Sequence, residues 1–397
     1  MAKRDLYLIG LDIGMVTIVL TSKRRLKVRE INPSPMVRDK DLDAIVKMII
    51  DFYQSDTIAQ SRNIKLGADP EFMLFNSKNG KMISASEFFP RDGIVGTDNI
   101  RIPNRQQRPV AEIRPKPNES PLDLIENIKQ ALSSANRLAP YKNVKWVAGS
   151  QPMNNYSIGG HIHFSRITIS GSLLRALDNY LAIPIFLIEE PVTAAKRRKK
   201  YGFLGDYRIK EHGGFEYRTL GSWLVSQSIA TAVLCLAKIV VSRYPYLPKN
   251  FLNSLDAQRA FYNGDQEYFL KYFYTLWDNI TEIDMYSLYA EELKIIPEMI
   301  MARAHWDEKS DFRKSWNIEI INKRYTTGKS NLAANTTVSG VQVTRNPSMA
   351  TRNTRITVSR GTSSRPTSTV SVDRRSNNAT SGRIIGSGQI RRTQRIR

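Results

Sequence analysis

Gly214-Phe215-Glu216-Tyr217-Arg218-Thr219 is the stretch whose reading decides the fold. Glu216 and Arg218 stand two residues apart, interleaved with Phe215 and Tyr217. Alternate residues of a strand project to one face, so this stretch presents an acid and a cation on one side and two rings on the other. Three further stretches repeat the pattern. Gly67-Ala68-Asp69-Pro70-Glu71-Phe72 offers Asp69 and Glu71, and Gly159-Gly160-His161-Ile162-His163-Phe164-Ser165 offers His161 and His163. Val110-Ala111-Glu112-Ile113-Arg114-Pro115-Lys116 offers Glu112 and Arg114, with Lys116 continuing the row. Phe72, Ile113, Ile162 and Tyr217 would pack behind them. A half-solvated antiparallel sheet needs no function to look like this. An ordinary wet face, however, is built of Thr, Lys, Gln and Ser, and here half of the four histidines fall in one three-residue motif. Such clustering points to a metal or catalytic site.

Three or four carboxylates on one surface repel each other unless cations sit between them. Oxygen-rich ligation favours Mg²⁺ or Mn²⁺ over zinc. Interleaved Arg and Lys would contact anions bridged to those metals, which together describes a phosphoryl-transfer site. A zinc hydrolase would want more nitrogen ligands and has less need of the basic residues. A glycosidase working with two carboxylates leaves the His pair and the arginines without a role.

GADPEF, VAEIRPKP, GGHIHFS and FEYRTLGSWL, in that order over about residues 64–225, resemble the phage-type amidoligases. These are ATP-dependent carboxylate–amine ligases of glutamine-synthetase-like and glutamate–cysteine-ligase-like fold. The resemblance implies an α+β fold with a curved antiparallel sheet backed by helices, and ATP with Mg²⁺ or Mn²⁺ as cofactors. It implies transfer of the γ-phosphate to a carboxylate, giving an acyl phosphate that an amine attacks to form an amide or isopeptide bond. Asp69, Glu71 and Glu112 match metal-ligand acids, and Glu216 matches the carboxylate for the metal on the ATP phosphates. His161 matches a metal or phosphate contact, and His163 a position near the nucleotide. Arg218 looks like the cation that steadies the transferring phosphoryl group, and Arg208 like a second phosphate contact. Arg114 and Lys116 look suited to a substrate carboxylate or a phosphate. On this reading Glu71, Glu216 and Arg218 are the catalytic set. Glutamine synthetases carry Glu where Asp69 stands, and their ammonia-site residues have no match, so the expected amine is an amino acid, a peptide or an amine-bearing polymer.

Outward from these motifs the chain divides into three. Residues 1–63 read as strands at Leu6–Ile9 and Val16–Leu20 followed by a helix from about Asp41 to Tyr53, either a small lobe or an extension of the main sheet. Residues 64–319 form the ligase-like domain. Its helices run over about 120–136, with Ser120 as cap, and 172–189, where Pro184 should kink or end the helix. From 222 onward the pattern is helical, with an aromatic stripe (Phe261, Tyr262, Tyr268, Phe269, Tyr272, Phe273, Trp277) whose helical spacing reads as core, with stacking of nucleobases as its alternative. Residues 320–397 hold 15 of the Lys and Arg against one acid, Asp373, and no aromatic follows Tyr325. This Ser/Thr/Arg-rich tail is expected to be disordered, as either a solubilising appendage or an arm for nucleic acid or another polyanion. Without it the net charge of +22 falls to +8. The run Lys196–Lys200 reads as a solvated loop, with a phosphate-facing position as its alternative.

One cysteine, Cys235, excludes an internal disulfide framework and reads as a core thiol. No run of about 18 uninterrupted apolar residues is present, so no membrane partner is expected, and a cytoplasmic setting in a bacterial or phage-infected cell is the expectation. Gly10-Leu11-Asp12-Ile13-Gly14 resembles a phosphate-binding hairpin of actin-like ATPases, but the companion motifs are missing. The competing class is a non-enzymatic, virion-associated polyanion binder that acts through the tail.

Overall fold

The computed structural model describes residues 2–59, 64–211 and 213–326, with backbone only for 52–59. Of the tail expected over 320–397, residues 327–397 lie outside the described residues, as does His212, whereas 320–326 are ordered against the body, with Tyr325 buried and its N–H donating to Asn143 Oδ1 at 2.7 Å. The strands in chain order are β1 (Met15–Leu20), β2 (Leu26–Asn32), β3 (Lys65–Ala68), β4 (Glu71–Asn76), β5 (Met82–Ile83), β6 (Val95–Thr97), β7 (Val110–Ile113), β8 (Val144–Val147), β9 (Ile162–Ser165), β10 (Tyr207–Ile209) and β11 (Phe215–Tyr217). All pairings between these strands are antiparallel. One sheet has the order β10-β11-β9-β3; another has β5-β4-β7-β6, with β8 on the far side of β4.

Asp69 and Glu71 do not share a strand face, as the spacing suggested. Pro70 has no N–H to give a ladder, so the strand breaks there and the chain steps from one sheet into the other. The step is sewn by backbone bonds: Asp69 N to His161 O at 3.3 Å, Glu71 N to Gly159 O at 2.9 Å, and Ile113 N to Pro70 O at 3.3 Å. The two sheets thereby act as one bent antiparallel surface, and the bend puts acids from both at its inner angle.

Helices cover the other side. Helix α1 spans Ala2–Leu8, α2 spans Asp39–Ala59 and α3 spans Pro121–Leu138. Pro121 opens α3 and Ser120 Oγ accepts from Asp123 N at 3.2 Å, as a cap should. Ile162, Phe164, Phe215 and Tyr217 are buried beneath the sheet in the same core as Leu124, Ile128 and Leu132 of α3. Gln227–Arg243 is also a core helix, and burial raises the Cys235 thiol on it well above its usual range. Of the aromatic stripe, Phe261, Phe269, Phe273 and Trp277 are buried in the core, and Tyr262, Tyr268 and Tyr272 are half-buried against it.

Three expectations need correction. Leu6–Ile9 is not a strand; Leu6 to Leu8 close α1, because a short apolar run fits either period and packing against the body selected the helix. Of the two outcomes expected at Pro184, an early end does not occur. The helix runs from Gly171 to Ile188 through a π segment, Leu177–Ala182, whose wider turn accommodates the missing N–H. The basic run is not a solvated loop throughout: Arg197 and Arg198 are buried. Arg198 pairs with Glu189 and lies over the rings of Phe186 and Phe261. The windows Gly171–Ile188 and Gln227–Tyr246 are long and apolar enough to cross a membrane, yet 83% and 67% of them is buried inside this fold.

The π segment carries a buried carboxylate, Asp178, which accepts from Tyr217 Oη at 2.6 Å, Tyr7 Oη at 2.7 Å and Gly205 N at 2.7 Å. It ties α1 to the back of β11. Burial outweighs these donors and lifts its pKa from 3.8 to about 7. The folded protein therefore holds a proton there that the unfolded chain releases above its ordinary pKa. The stabilisation is complete below about pH 4 and lost as pH rises through 7. Relative to Asp178→Asn, wild-type stability in urea denaturation should thus fall between pH 4 and pH 7, by up to roughly 4 kcal/mol; a pH-independent difference would contradict this.

Candidate active site

Cross-strand register builds the site. Arg208 faces Glu216, Glu216 faces His163, and His163 faces Gly67. Directly paired residues of an antiparallel sheet share a face, and so do residues two apart. One face of this sheet therefore carries His161, His163, Arg208, Lys210, Glu216 and Arg218. Asp69 reaches over it from the corner. His161 Nδ1 lies 3.2 Å from Asp69 Oδ1 and 3.3 Å from Glu216 Oε1, and His163 Nε2 lies 3.0 Å from Asp69 Oδ2. Lys210 Nζ is 2.6 Å from Glu216 Oε2, Arg218 Nε is 3.1 Å from Oε1, and Arg208 Nη1 is 3.6 Å from Oε2.

The glycines of the GGH motif make this possible. A Cβ on Gly159 would lie 2.4 Å from His161 Nε2, and one on Gly160 would lie 2.5 Å from both Gly221 O and the Trp223 ring. Ser222 Oγ donates to Glu71 O at 2.6 Å and Trp223 Nε1 donates to Gly160 O at 2.9 Å. The GSW end of the last motif thus clamps the first and third. Arg197, from below, donates to Thr219 O at 2.7 Å and to Arg218 O at 3.1 Å.

Electrostatics divide the acids. Burial raises the Asp69 pKa, but hydrogen bonds from His161 and His163 outweigh it and hold the carboxyl far below its usual range. Glu216 is only 1% exposed. Burial and Asp69 push it up, yet Lys210 and His161 prevail and keep it lowered. A second cluster behaves oppositely. Glu71 and Glu112 are register partners across β4 and β7, an unfavourable pairing of like charges. Burial, Asp98, Glu112 and Asp69 drive Glu71 well up, although its Oε2 accepts from Gly159 N at 2.7 Å. Burial and Asp69 raise Glu112 to about 7 against Arg114, whose Nη2 is 2.9 Å from Glu112 Oε2.

Asp69, His161 and Glu216 each offer a ligand atom, all within 4.8 Å of one another. Glu216 Oε2, His163 Nε2 and Arg218 Nε are buried with no aligned hydrogen bond, despite the short ion-pair distances. We read those contacts as ion pairs whose bonding capacity is held in reserve. A divalent cation and a phosphate fit this donor set: two acids and an imidazole for one, two arginines and a lysine for the other.

The fold brings together every nominated residue except one. Lys116 stands beyond the end of β7, exposed, and only its carbonyl is engaged, by Asn127 Nδ2 at 2.8 Å. Three participants were missed. Lys210 sits two residues after Arg208, so the same alternation would have found it. Asp98 approaches Glu71 from outside the four motifs, and Arg197 looked like one of a solvated run; tertiary packing alone reveals both.

Residues 66–318 match the model of a family described as phage phiEco32-like COOH·NH2 ligase, type 2. No curated protein matches the sequence. Among solved structures, a bifunctional glutathione synthetase from Pasteurella multocida is similar over 68% of this chain and 53% of its own, at 10% identity and a TM-score of 0.39. This chain thus spans about half its length. The ligase PafA, solved with the prokaryotic ubiquitin-like protein Pup, matches over 64% and 67% at 12% identity, with a TM-score of 0.42. A novel glutamine synthase homolog matches over 62% and 74% at 14% identity, with a TM-score of 0.27.

Proposed function

Because this chain belongs to the phage phiEco32-like COOH·NH2 ligases of type 2, we propose that it uses ATP and Mg²⁺ (or Mn²⁺) to join a carboxylate to an amine through an acyl phosphate. The observation that carries this is the convergence of His161, Lys210, Arg218 and Arg208 on the buried Glu216 carboxylate, with a ligand atom of Asp69 within 4.8 Å of those of His161 and Glu216. Arg218 and Arg208 would hold the γ-phosphoryl group as the substrate carboxylate oxygen attacks phosphorus and ADP leaves. Their fixed charge would stabilise the oxygens on which negative charge concentrates. The amine nitrogen then attacks the acyl carbon, phosphate departs with the C–O electron pair, and the extra proton on nitrogen passes to the departing phosphate or to water. A divalent cation bound by Asp69, His161 and Glu216 would neutralise phosphate charge and orient the transfer.

His163 and Asp69 would keep each other in register beside the nucleotide. Glu71 and Glu112, with Asp98, form a pair of opposed acids that a second cation would relieve. Arg114 is already engaged by Glu112, which makes it a brace for that acid. The acid and amine are small molecules or peptides. The tail remains a proposed arm for nucleic acid or another polyanion, and the reducing cytoplasm of a bacterial or phage-infected cell suits the single buried thiol.

Hydroxylamine tests the chemistry, since it intercepts acyl phosphates. The full chain with Mg²⁺, ATP and a panel of amino acids and acidic peptides should release ADP and form a hydroxamate with at least one of them. A folded protein that releases no ADP with any would count against the reading.

A further inference from the structure

The segment before the family match carries a surface the ligase reading does not use. Of the 26 large hydrophobic side chains exposed among the described residues, 13 lie between Ile9 and Ile50. Helix α1 is fastened to the body: Tyr7 bonds Asp178, Arg4 lies over the Phe203 ring, and the Leu8 carbonyl accepts from Gln258. Asp12 adds a last tie, to Arg175 at 3.0 Å. Among the described residues, no ion pair or side-chain hydrogen bond fastens residues 15–51 to the body. The hairpin β1–β2 forms a sheet of its own, and such a ribbon is marginal in water without a covering layer. None of residues 39–51 of α2 is buried, although Leu42, Ile45, Val46, Ile49 and Ile50 form a stripe at i, i+3, i+4, i+7 and i+8. A stripe of that kind is a helix face made for a partner, and monomers rarely leave so large an apolar area open.

Charge says which partner. The hairpin carries Lys23, Arg24, Arg25, Lys27 and Arg29 against Glu30, all exposed, while α2 carries Asp39, Asp41, Asp43 and Asp51 against Lys40 and Lys47. Among the described residues no ion pair joins hairpin to helix; Asp41 pairs only with the neighbouring Arg38. Each copy therefore displays one basic and one acidic apolar element, both unmatched. Two copies related by a two-fold axis match both at once, which is the condition for a closed isologous contact. We propose that residues 15–51 dimerise this protein, the hairpin of one copy seating on α2 of the other.

Sedimentation equilibrium of the full chain tests this at micromolar concentration. Wild type should run at twice 45.2 kDa, and Val46→Glu with Ile49→Glu should raise the dimer dissociation constant at least ~100-fold, since it buries two charges in an apolar contact. Arg25→Glu with Arg29→Glu, and separately Asp41→Lys with Asp43→Lys, should each weaken the dimer, and the four changes combined should restore it. These side chains are exposed and apart from the body, so circular dichroism should not change. A wild-type monomer would overturn the proposal, including one that binds nucleic acid through its hairpin. So would a dimer indifferent to these substitutions, or a rescue that leaves the mass monomeric.

Discussion

Glu216→Gln should lower ligase turnover roughly a thousandfold or more and should also weaken the metal-free fold. Both effects stem from the surroundings of one carboxylate. Lys210, Arg218, Arg208 and His161 all lie within 3.6 Å of its oxygens. An amide keeps the shape and removes the charge, leaving four donors turned toward each other at a buried point. Breaking a buried ion pair on one side costs more than the pair is worth, because the surviving charge is stranded. Arg208 is 56% exposed and can turn to water, so a loss of about 1–3 kcal/mol is expected. ADP release and urea denaturation of the same variant measure the two effects. Retained activity would remove Glu216 from the metal and phosphate site.

Glu71→Gln should also damage activity, by about a hundredfold or more, with the opposite effect on stability. Gln can still accept the Gly159 N–H bond that Glu71 Oε2 accepts at 2.7 Å. It also removes one of the acids facing Glu112, Asp98 and Asp69. Since burial and those acids raise the Glu71 carboxyl, its contribution to stability is present at low pH and lost as pH rises through the elevated pKa. The variant does not titrate there. Its denaturation midpoint without metal should match wild type near or below about pH 4, the ordinary glutamate range, and exceed it increasingly as pH rises above that. Added Mg²⁺ should stabilise wild type more than the variant. An inactive variant that is also less stable at every pH would mark Glu71 as structural.

The opposite signs show why the sequence revealed so much of this site and where it stopped. Strand alternation fixes which side chains share a face, and that rule alone assembled His161, His163, Glu216 and Arg218, with Arg208 beside them. The same rule misread Asp69 and Glu71, because Pro70 ends one strand between them; the two acids meet the site from different sheets. Period could not separate helix from strand at Leu6–Ile9, where packing of Tyr7 and Leu8 decides. Nor could composition tell that Arg197 and Arg198 are buried, since a basic run looks solvated until Thr219 O, Glu189 and two aromatic rings are brought to it. Asp98 was invisible for a related reason: its relevance is purely spatial, set by β6 pairing with β7 and β7 with β4.

Isothermal titration of the full chain with ATP, with and without Mg²⁺ and beside Glu216→Gln, tests the central claim most directly. A metal and phosphate site centred on Glu216 predicts binding that requires the metal and weakens at least about tenfold in the variant. Equal binding by both proteins, or none by a folded wild type, would contradict it.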